Sequence, residues 1–228
     1  MAGKLTGEKL EKELLRLEEM LTYEREYGWA AHICGIDEAG RGPLAGPVVA
    51  GAVILPKDCK ILYLNDSKKL SEKRREELFL EIQEKAVSCA VGIVEPKEID
   101  RINILQATYA AMRQAVGKLS CVPQVLLNDA VEIPGLPKEI KQVKIIRGDA
   151  KSLSIAAASV LAKVTRDHLM TDYDKQYPNY GFAKHKGYGT AAHIQALKDE
   201  GPCPLHRRTF IGKFVKADEG EEADKVNG

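Results

Sequence analysis

The stretch His32-Ile33-Cys34-Gly35-Ile36-Asp37-Glu38 decides the fold: it is a short apolar run closing on two acids. Runs of this length bounded by turn residues read as buried strands. Working outward, a Gly/Pro-rich turn from Gly40 to Pro47 leads into a second apolar run over residues 48–55, and residues 86–94 form a third. Two shorter candidates follow at 122–127 and 143–146, separated by a loop containing prolines. Helical patterns lie between and after them. Ser71 is placed to cap a charged helix over 72–86, because its hydroxyl can accept from a free first-turn N–H. Residues 104–119 carry Leu105, Tyr109, Met112 and Val116 along one helical side. Residues 152–173 are Ala-rich, and Ala156, Ala157, Ala158 and Ser159 permit close approach to a sheet. A Gly- and Tyr-rich loop over 177–189 precedes a helix over 190–199. Pro202 and Pro204 then break the chain before a basic stretch from His206 to Lys213. There is no internal repeat. Three strands, helices, then strands joined through helices imply an α/β fold: a mixed sheet flanked by helices on both faces.

The ends differ from this core. Residues 7–27 read as an amphipathic helix, with Leu10, Leu14, Leu17 and Leu21 at i, i+4, i+7 and i+11, and Gly28 ending it. Packing on the core is the first expectation for it, and pairing with another helix or lying across substrate are the others. From Ala217 the chain is acidic and poor in apolar residues, so disorder is expected. The expected organisation is an N-terminal helical extension over 1–30, one catalytic-sized domain over 31–216, and a tail over 217–228.

Composition excludes several classes. With 228 residues, 44% hydrophobic and 29% charged, the chain is long enough for one sizeable α/β domain with appendages. No apolar run approaches the ~18 residues that a membrane span needs, and Met1 to Lys12 lacks the apolar stretch of a secretory signal. A cytoplasmic monomer is expected, with no membrane association. The five cysteines are odd in number and widely spaced, without a C-x-x-C pair, so no disulfide or zinc site is expected. Cys34 and Cys89 read as buried thiols. The net charge of +1 is uneven: residues 1–28 carry −2 and 217–228 carry −4, which leaves +7 on 29–216. A basic middle suits a polyanionic partner, although a solvating tail explains the asymmetry equally well.

Four acids share one context, at or just beyond strand ends: Asp37 and Glu38, Asp129, and Asp149 before the long helix. Ligand groups collect at strand ends in open α/β sheets. Carboxylates gathered there repel unless a cation lies between them, and hard oxygen ligands suit Mg²⁺ or Mn²⁺. Two such ions about 4 Å apart suit in-line phosphoryl displacement. The alternative is that Asp129 and Asp149 are ordinary turn or capping acids. Gly40-Arg41-Gly42 adds a second signal, since glycines let backbone N–H groups approach a phosphate or sugar and Arg41 can pair with a phosphate oxygen. No G-x-x-x-x-G-K-[ST] is present, so this is not a P-loop.

The run Gly35-Ile36-Asp37-Glu38-Ala39-Gly40-Arg41-Gly42-Pro43-Leu44-Ala45-Gly46-Pro47-Val48 resembles the signature of ribonuclease HII, the bacterial type 2 ribonuclease H. The resemblance continues through Asn65-Asp66-Ser67-Lys68-Lys69-Leu70, Gly148-Asp149-Ala150-Lys151-Ser152, residues 155–167, His185-Lys186-Gly187-Tyr188-Gly189-Thr190 and His206-Arg207-Arg208, spanning about residues 32–212. It implies the ribonuclease H-like fold with a five-stranded mixed sheet and a helical C-terminal region. It implies Asp37, Glu38, Asp129 and Asp149 as catalytic, metal-binding carboxylates for Mn²⁺ or Mg²⁺. It further implies that Gly40, Arg41 and Gly42 read the 2′-hydroxyl of the ribonucleotide 5′ of a junction, while Tyr188 stacks on the next deoxyribose. The implied substrates are RNA–DNA hybrids and DNA duplexes containing ribonucleotides, cut to 3′-hydroxyl and 5′-phosphate ends. A buried Tyr188 would be the plain structural alternative. The sequence departs from the family at Asn128-Asp129-Ala130, where an apolar residue, Asp and Gly are usual.

Lys68, Lys163, Lys184 and Lys186, inside the family motifs, are candidates for phosphate contacts, and Arg166, Arg207 and Arg208 stand beside them. Solvation of a helix surface explains any one of these equally well. His185 and His193 lack H-x-x-x-H spacing and receive no metal role. The rivals are a type 3 ribonuclease H, which normally carries a larger N-terminal domain, a silent nucleic-acid-binding module, and a general exonuclease of the same fold.

Overall fold

The computed structural model describes residues 6–215, so the expected tail over 217–228 lies outside the described residues. Strands β1 (Ile33–Ala39), β2 (Val48–Ile54), β3 (Ser88–Val94), β4 (Val125–Asp129) and β5 (Lys141–Ile145) form one sheet in the order β3-β2-β1-β4-β5. β1 and β2 are antiparallel, as are β2 and β3, whereas β1–β4 and β4–β5 are parallel. The mixed five-stranded sheet expected from the sequence is the one observed. In chain order the helices are α1 (Glu8–Met20), α2 (Thr22–Glu26), α3 (Glu72–Lys85), α4 (Pro96–Ile102), α5 (Ile104–Gly117), α6 (Leu153–Gln176), α7 (Phe182–His185), α8 (Ala191–Glu200) and α9 (Arg208–Ile211). Ser71, Ser152 and Thr190 cap α3, α6 and α8 through their hydroxyls. No helix among the described residues is long and apolar enough to cross a membrane.

Side chains alternate between the two faces of a strand, and α5 and α6 take one face each. On the α6 face a Cβ at Gly35 would collide with the backbone of Ser154, and one at Gly51 with Ala158. Only glycine in the strand and small residues in the helix allow this approach. Val53, Leu78, Ile82, Ala157 and Leu161 fill the remainder. On the other face Cys34, Ile36, Ala50 and Leu126 pack on Ala111, Met112 and Ala115. Of the expected side of α5, Met112 and Val116 are buried, but the close approach of the helix to Gly92 turns its alanines inward as well and leaves Leu105 40% exposed.

Several boundaries differ from the sequence reading. Asp37 and Glu38 lie within β1 rather than beyond it, because the strand pairs with β2 as far as Ala39↔Val49. The N-terminal helix breaks at Leu21, whose side chain turns into the core. The 177–189 segment contains α7, and α4 was not expected at all; its start relies on Pro96 at the first turn. Among the described residues all five cysteines are free, with Cys34 buried and Cys89 only half-buried.

Leu17, Met20 and Leu21 are buried against the α6 face. Glu13 accepts a hydrogen bond from the Tyr63 N–H (2.6 Å), and Arg16 donates to the Leu64 carbonyl (2.8 Å). From α2, Glu24 Oε1 accepts from Ser152 Oγ (2.7 Å) and the Ser154 N–H (2.9 Å), so the extension caps the N-terminus of α6. Deleting residues 1–28 should therefore cost about 2–4 kcal/mol, given roughly 1.5–3 kcal/mol per buried apolar side chain less the entropy of ordering the segment. Calorimetry would show that as a fall of about 5–10 °C in Tm; an unchanged Tm would contradict the packing argument.

Candidate active site

The parallel pairing of β1 with β4 places Ile36 opposite Asn128, so Asp37 and Asp129 are adjacent one residue further along, both on the α6 face. Asp149 sits in a single 3₁₀ turn, Gly148–Ala150, between β5 and α6. Asp129 Oδ1 accepts from the Gly148 N–H (2.8 Å) and the Gly148 carbonyl accepts from Ser152 N–H (2.8 Å), which ties that turn to β4 and to the start of α6. Glu38 points to the opposite face by alternation but stands near the sheet end, with Arg41 3.3 Å from its Oε1. Asp37 is 7% and Asp149 6% exposed. Burial, then the charges of Glu38, Asp129 and Asp149, pushes the Asp37 carboxyl well above the ordinary range. Burial also raises Glu38 against the opposing pull of Arg41, and raises Asp149 together with the charge of Asp66. Burial works against the charge of Lys68, but Asp37 and Asp149 outweigh it, and Lys68 Nζ lies 3.8 Å from Asp149 Oδ2.

Burial and mutual repulsion thus disfavour the charged forms of Asp37, Glu38 and Asp149, a penalty that a cation among them would relieve. The donors are all hard oxygens, which fits Mg²⁺ or Mn²⁺ and not a thiolate- or imidazole-seeking metal. Among the described residues no three His, Cys, Asp or Glu side chains already converge on one ligating point, so an ion would have to draw these neighbours together.

Asp37 and Glu38 open into a cleft of about 210 Å³ whose wall continues through Gly40, Arg41 and Gly42, with Ser67, Lys68, Lys163 and Tyr188 around it. Tyr188 is 46% exposed, so the buried alternative does not hold. Lys163 also borders the cleft and donates to Asp167 Oδ1 (2.7 Å). The other two lysines stand apart. Lys184 is exposed on α7, and Lys186 turns inward, donating to Thr171 Oγ1 (2.9 Å). Arg166 and Arg207, considered as phosphate contacts, are instead almost wholly buried. Arg207 donates to the carbonyls of Gly40 (2.6 Å), Arg41 (2.9 Å) and Gly46 (2.8 Å); Arg166 donates to those of Pro47 (2.9 Å), Ala45 (3.1 Å) and Lys186 (2.9 Å). These two guanidiniums hold the backbone of the 40–47 loop. A single sequence shows an arginine but not whether its fork meets phosphate or carbonyl oxygen.

The family model described as Ribonuclease HII matches residues 34–213 of the chain. The chain belongs to the ribonuclease HII family. Among similar proteins, the ribonuclease HII of Lachnoclostridium phytofermentans is 62% identical over 204 residues, covering 90% of this chain and 80% of that protein. That of Acetivibrio thermocellus is 56% identical over 209 residues, covering 91% and 81%. The crystal structure of ribonuclease H2 from Pyrococcus horikoshii OT3 superimposes with a TM-score of 0.67 at 29% identity, covering 78% of this chain and 93% of that one. The fold is ribonuclease H-like, and the protein is a nuclease of the endonuclease class. Membership decides against the silent binding module, the type 3 enzyme and the general exonuclease.

For a ribonuclease HII, the Asn128-Asp129-Ala130 departure now has a physical account. Asn128 is fully buried on the α5 face, away from Asp129, and its amide donates to the Val131 carbonyl (3.1 Å) and Gln142 Oε1 (3.0 Å). Gln142 in turn exchanges two hydrogen bonds with the backbone of Ile133. Asn128 therefore shapes the loop after β4 rather than the carboxylate cluster. Ala130 takes φ +57°, the left-handed region in which glycine is unstrained. Ala130→Gly should raise stability by about 0.5–1 kcal/mol, readable in a urea titration as a higher midpoint; a lower one would mean that the Cβ is needed for packing.

Proposed function

We propose that this enzyme hydrolyses the RNA strand of RNA–DNA hybrids and cuts on the 5′ side of ribonucleotides embedded in duplex DNA, leaving 3′-hydroxyl and 5′-phosphate ends. One observation carries the reading: Asp37 and Glu38 share a cleft wall with Gly40-Arg41-Gly42, and Tyr188 stands exposed at its rim. Asp37, Glu38, Asp129 and Asp149 would hold divalent cations, Mn²⁺ or Mg²⁺, with Asp37 and Asp129 sharing them. Such ions supply an activated water and neutralise the charge on a departing oxygen.

The remaining work belongs to the chain. The backbone of residues 40–42 is open at Gly42, while Gly40 lies against the Arg166 guanidinium; this backbone can approach the 2′-hydroxyl, the group that separates RNA from DNA. Arg41 is 45% exposed at its side chain and is free to leave Glu38 for a phosphate oxygen. Tyr188 offers an aromatic platform for the sugar of the following nucleotide. Lys68 and Lys163 lend positive charge along the backbone path. Lys184 and Lys186 are not needed for the reading.

The test is a substrate panel with and without Mn²⁺: a duplex with one embedded ribonucleotide, an RNA–DNA hybrid, all-DNA and all-RNA. Cleavage of the first two alone is expected, and cleavage of all-DNA would defeat the reading.

A further inference from the structure

A cluster of buried histidines lies beneath the Tyr188 loop and takes no part in the carboxylate site. His193 on α8 is 0% and His206 2% exposed. Their Nε2 atoms face each other at 3.0 Å. Two like ring nitrogens at that distance can bond only if one carries a proton and the other does not. The outer partners fix which. His193 Nδ1 stands 2.9 Å from the Tyr188 carbonyl, which can only accept, so Nδ1 carries the proton and Nε2 is the bare acceptor. His206 Nε2 must then donate, which leaves its Nδ1 bare to accept the Cys203 N–H at 3.1 Å. The result is one directional chain: Cys203 N–H to His206, His206 to His193, His193 to the Tyr188 carbonyl.

Both rings must be neutral for this chain to exist, and their surroundings favour it. Burial above all, with the nearness of His193 and the charge of Arg208, pushes His206 down to about 4. Burial also lowers His193, against which His185 stacks at 4.4 Å between centroids. Tyr180 and Phe182 cover His206, and Phe182 meets His193 edge-on. A metal is not indicated among the described residues, because the Cys203 thiol lies against His206 Nδ1 (3.2 Å), not at the facing Nε2 atoms.

The two ends of the chain adjoin the two substrate-reading features. The Tyr188 carbonyl belongs to the rim aromatic. His206 immediately precedes Arg207, whose guanidinium holds the Gly40, Arg41 and Gly46 carbonyls, and His206 bridges to Ala45. The geometry points to His193 as the positioning residue that holds the Tyr188 carbonyl, and with it the platform beside the Gly40-Arg41-Gly42 wall, while His206 acts by fixing the His193 proton on Nδ1. The inference rests on the proposed roles of Tyr188 and residues 40–42.

The test compares His193→Asn with His193→Leu on the single-ribonucleotide duplex. Asn places an amide N–H near the position of Nδ1 and keeps the hold on Tyr188; Leu does not; both lose the bond from His206. Both should melt below the wild type. His193→Leu should lose about tenfold or more in kcat/KM through a raised KM, since displacement of a binding group by an ångström carries penalties on that scale, and His193→Asn should stay within about threefold of wild type. Equal losses in the two variants would overturn the inference. A second measurement needs no variant: ¹⁵N NMR of the wild-type chain should show His193 as the Nδ1–H tautomer and His206 as the Nε2–H tautomer, and the opposite pairing, or a charged ring at pH 7, would overturn it. Failure of the wild type to cut the embedded ribonucleotide would instead defeat the functional reading and leave the tautomer result standing.

Discussion

Asp37→Asn is expected to abolish cleavage, by roughly 10³-fold or more, while duplex binding stays within a few-fold of wild type. The substitution keeps shape and removes one charge from the carboxylate cluster, and the loss of several kcal/mol of charge stabilisation accounts for the magnitude. Binding should survive because Arg41, Lys68, Lys163 and Tyr188 are untouched. A second consequence separates this from simple unfolding. Asp37 has its carboxyl pushed up in the folded state by burial and by Glu38. A raised folded value favours folding at low pH, and that contribution is lost as pH rises through the folded value. Without metal, the wild type should therefore lose stability as pH rises through the ionisation of Asp37, and the Asn variant should escape that loss. Thermal melts against pH in a chelator would show the two curves diverging as pH rises. Mn²⁺ should raise the wild-type Tm and leave the variant little changed. Turnover by the variant equal to wild type would sink the carboxylate assignment.

Arg207→Leu is expected to be the most damaging change outside the carboxylates. It removes a guanidinium that is 0% exposed and meets three backbone carbonyls. Each buried acceptor left without a partner costs about 1–3 kcal/mol, so a loss of about 4 kcal/mol and a fall in Tm of about 10 °C are expected. Burial and the charge of Arg166 push Arg207 down to about 9, still charged at pH 7. Arg207→Lys should recover little, since one ammonium cannot reproduce the fork. At a temperature where the variant stays folded, KM for a ribonucleotide-bearing duplex should rise, because the 40–42 wall is no longer held. An unchanged KM together with an unchanged Tm would refute the clamp.

The fold was largely legible because its signals are local. Apolar runs near residues 33 and 48, the caps at Ser71 and Ser152, and the alanines of α6 each depend on neighbours in sequence. The buried side of α5 was legible only in part: Met112 and Val116 are buried as their spacing suggests, but the approach of Ala111 to Gly92 turns the alanines inward and leaves Leu105 out. The candidate carboxylates were read from motif and strand context, whereas the placing of Asp37 beside Asp129 on one face depends on the β1–β4 register. Arg166, Arg207, His193 and His206 were beyond reach for a common reason. Each is a polar group whose role is set by which distant backbone atom it meets, and nothing in residue type distinguishes a buried arginine on a carbonyl from an exposed one on a phosphate.

The most direct test of the account is to map the cut on a DNA duplex bearing one ribonucleotide, with each end labelled in turn. The proposed function predicts a single incision at the phosphodiester on the 5′ side of that ribonucleotide, giving a 3′-hydroxyl on one fragment and a 5′-phosphate on the other. A cut on the 3′ side, or a cyclic phosphate end, would contradict it.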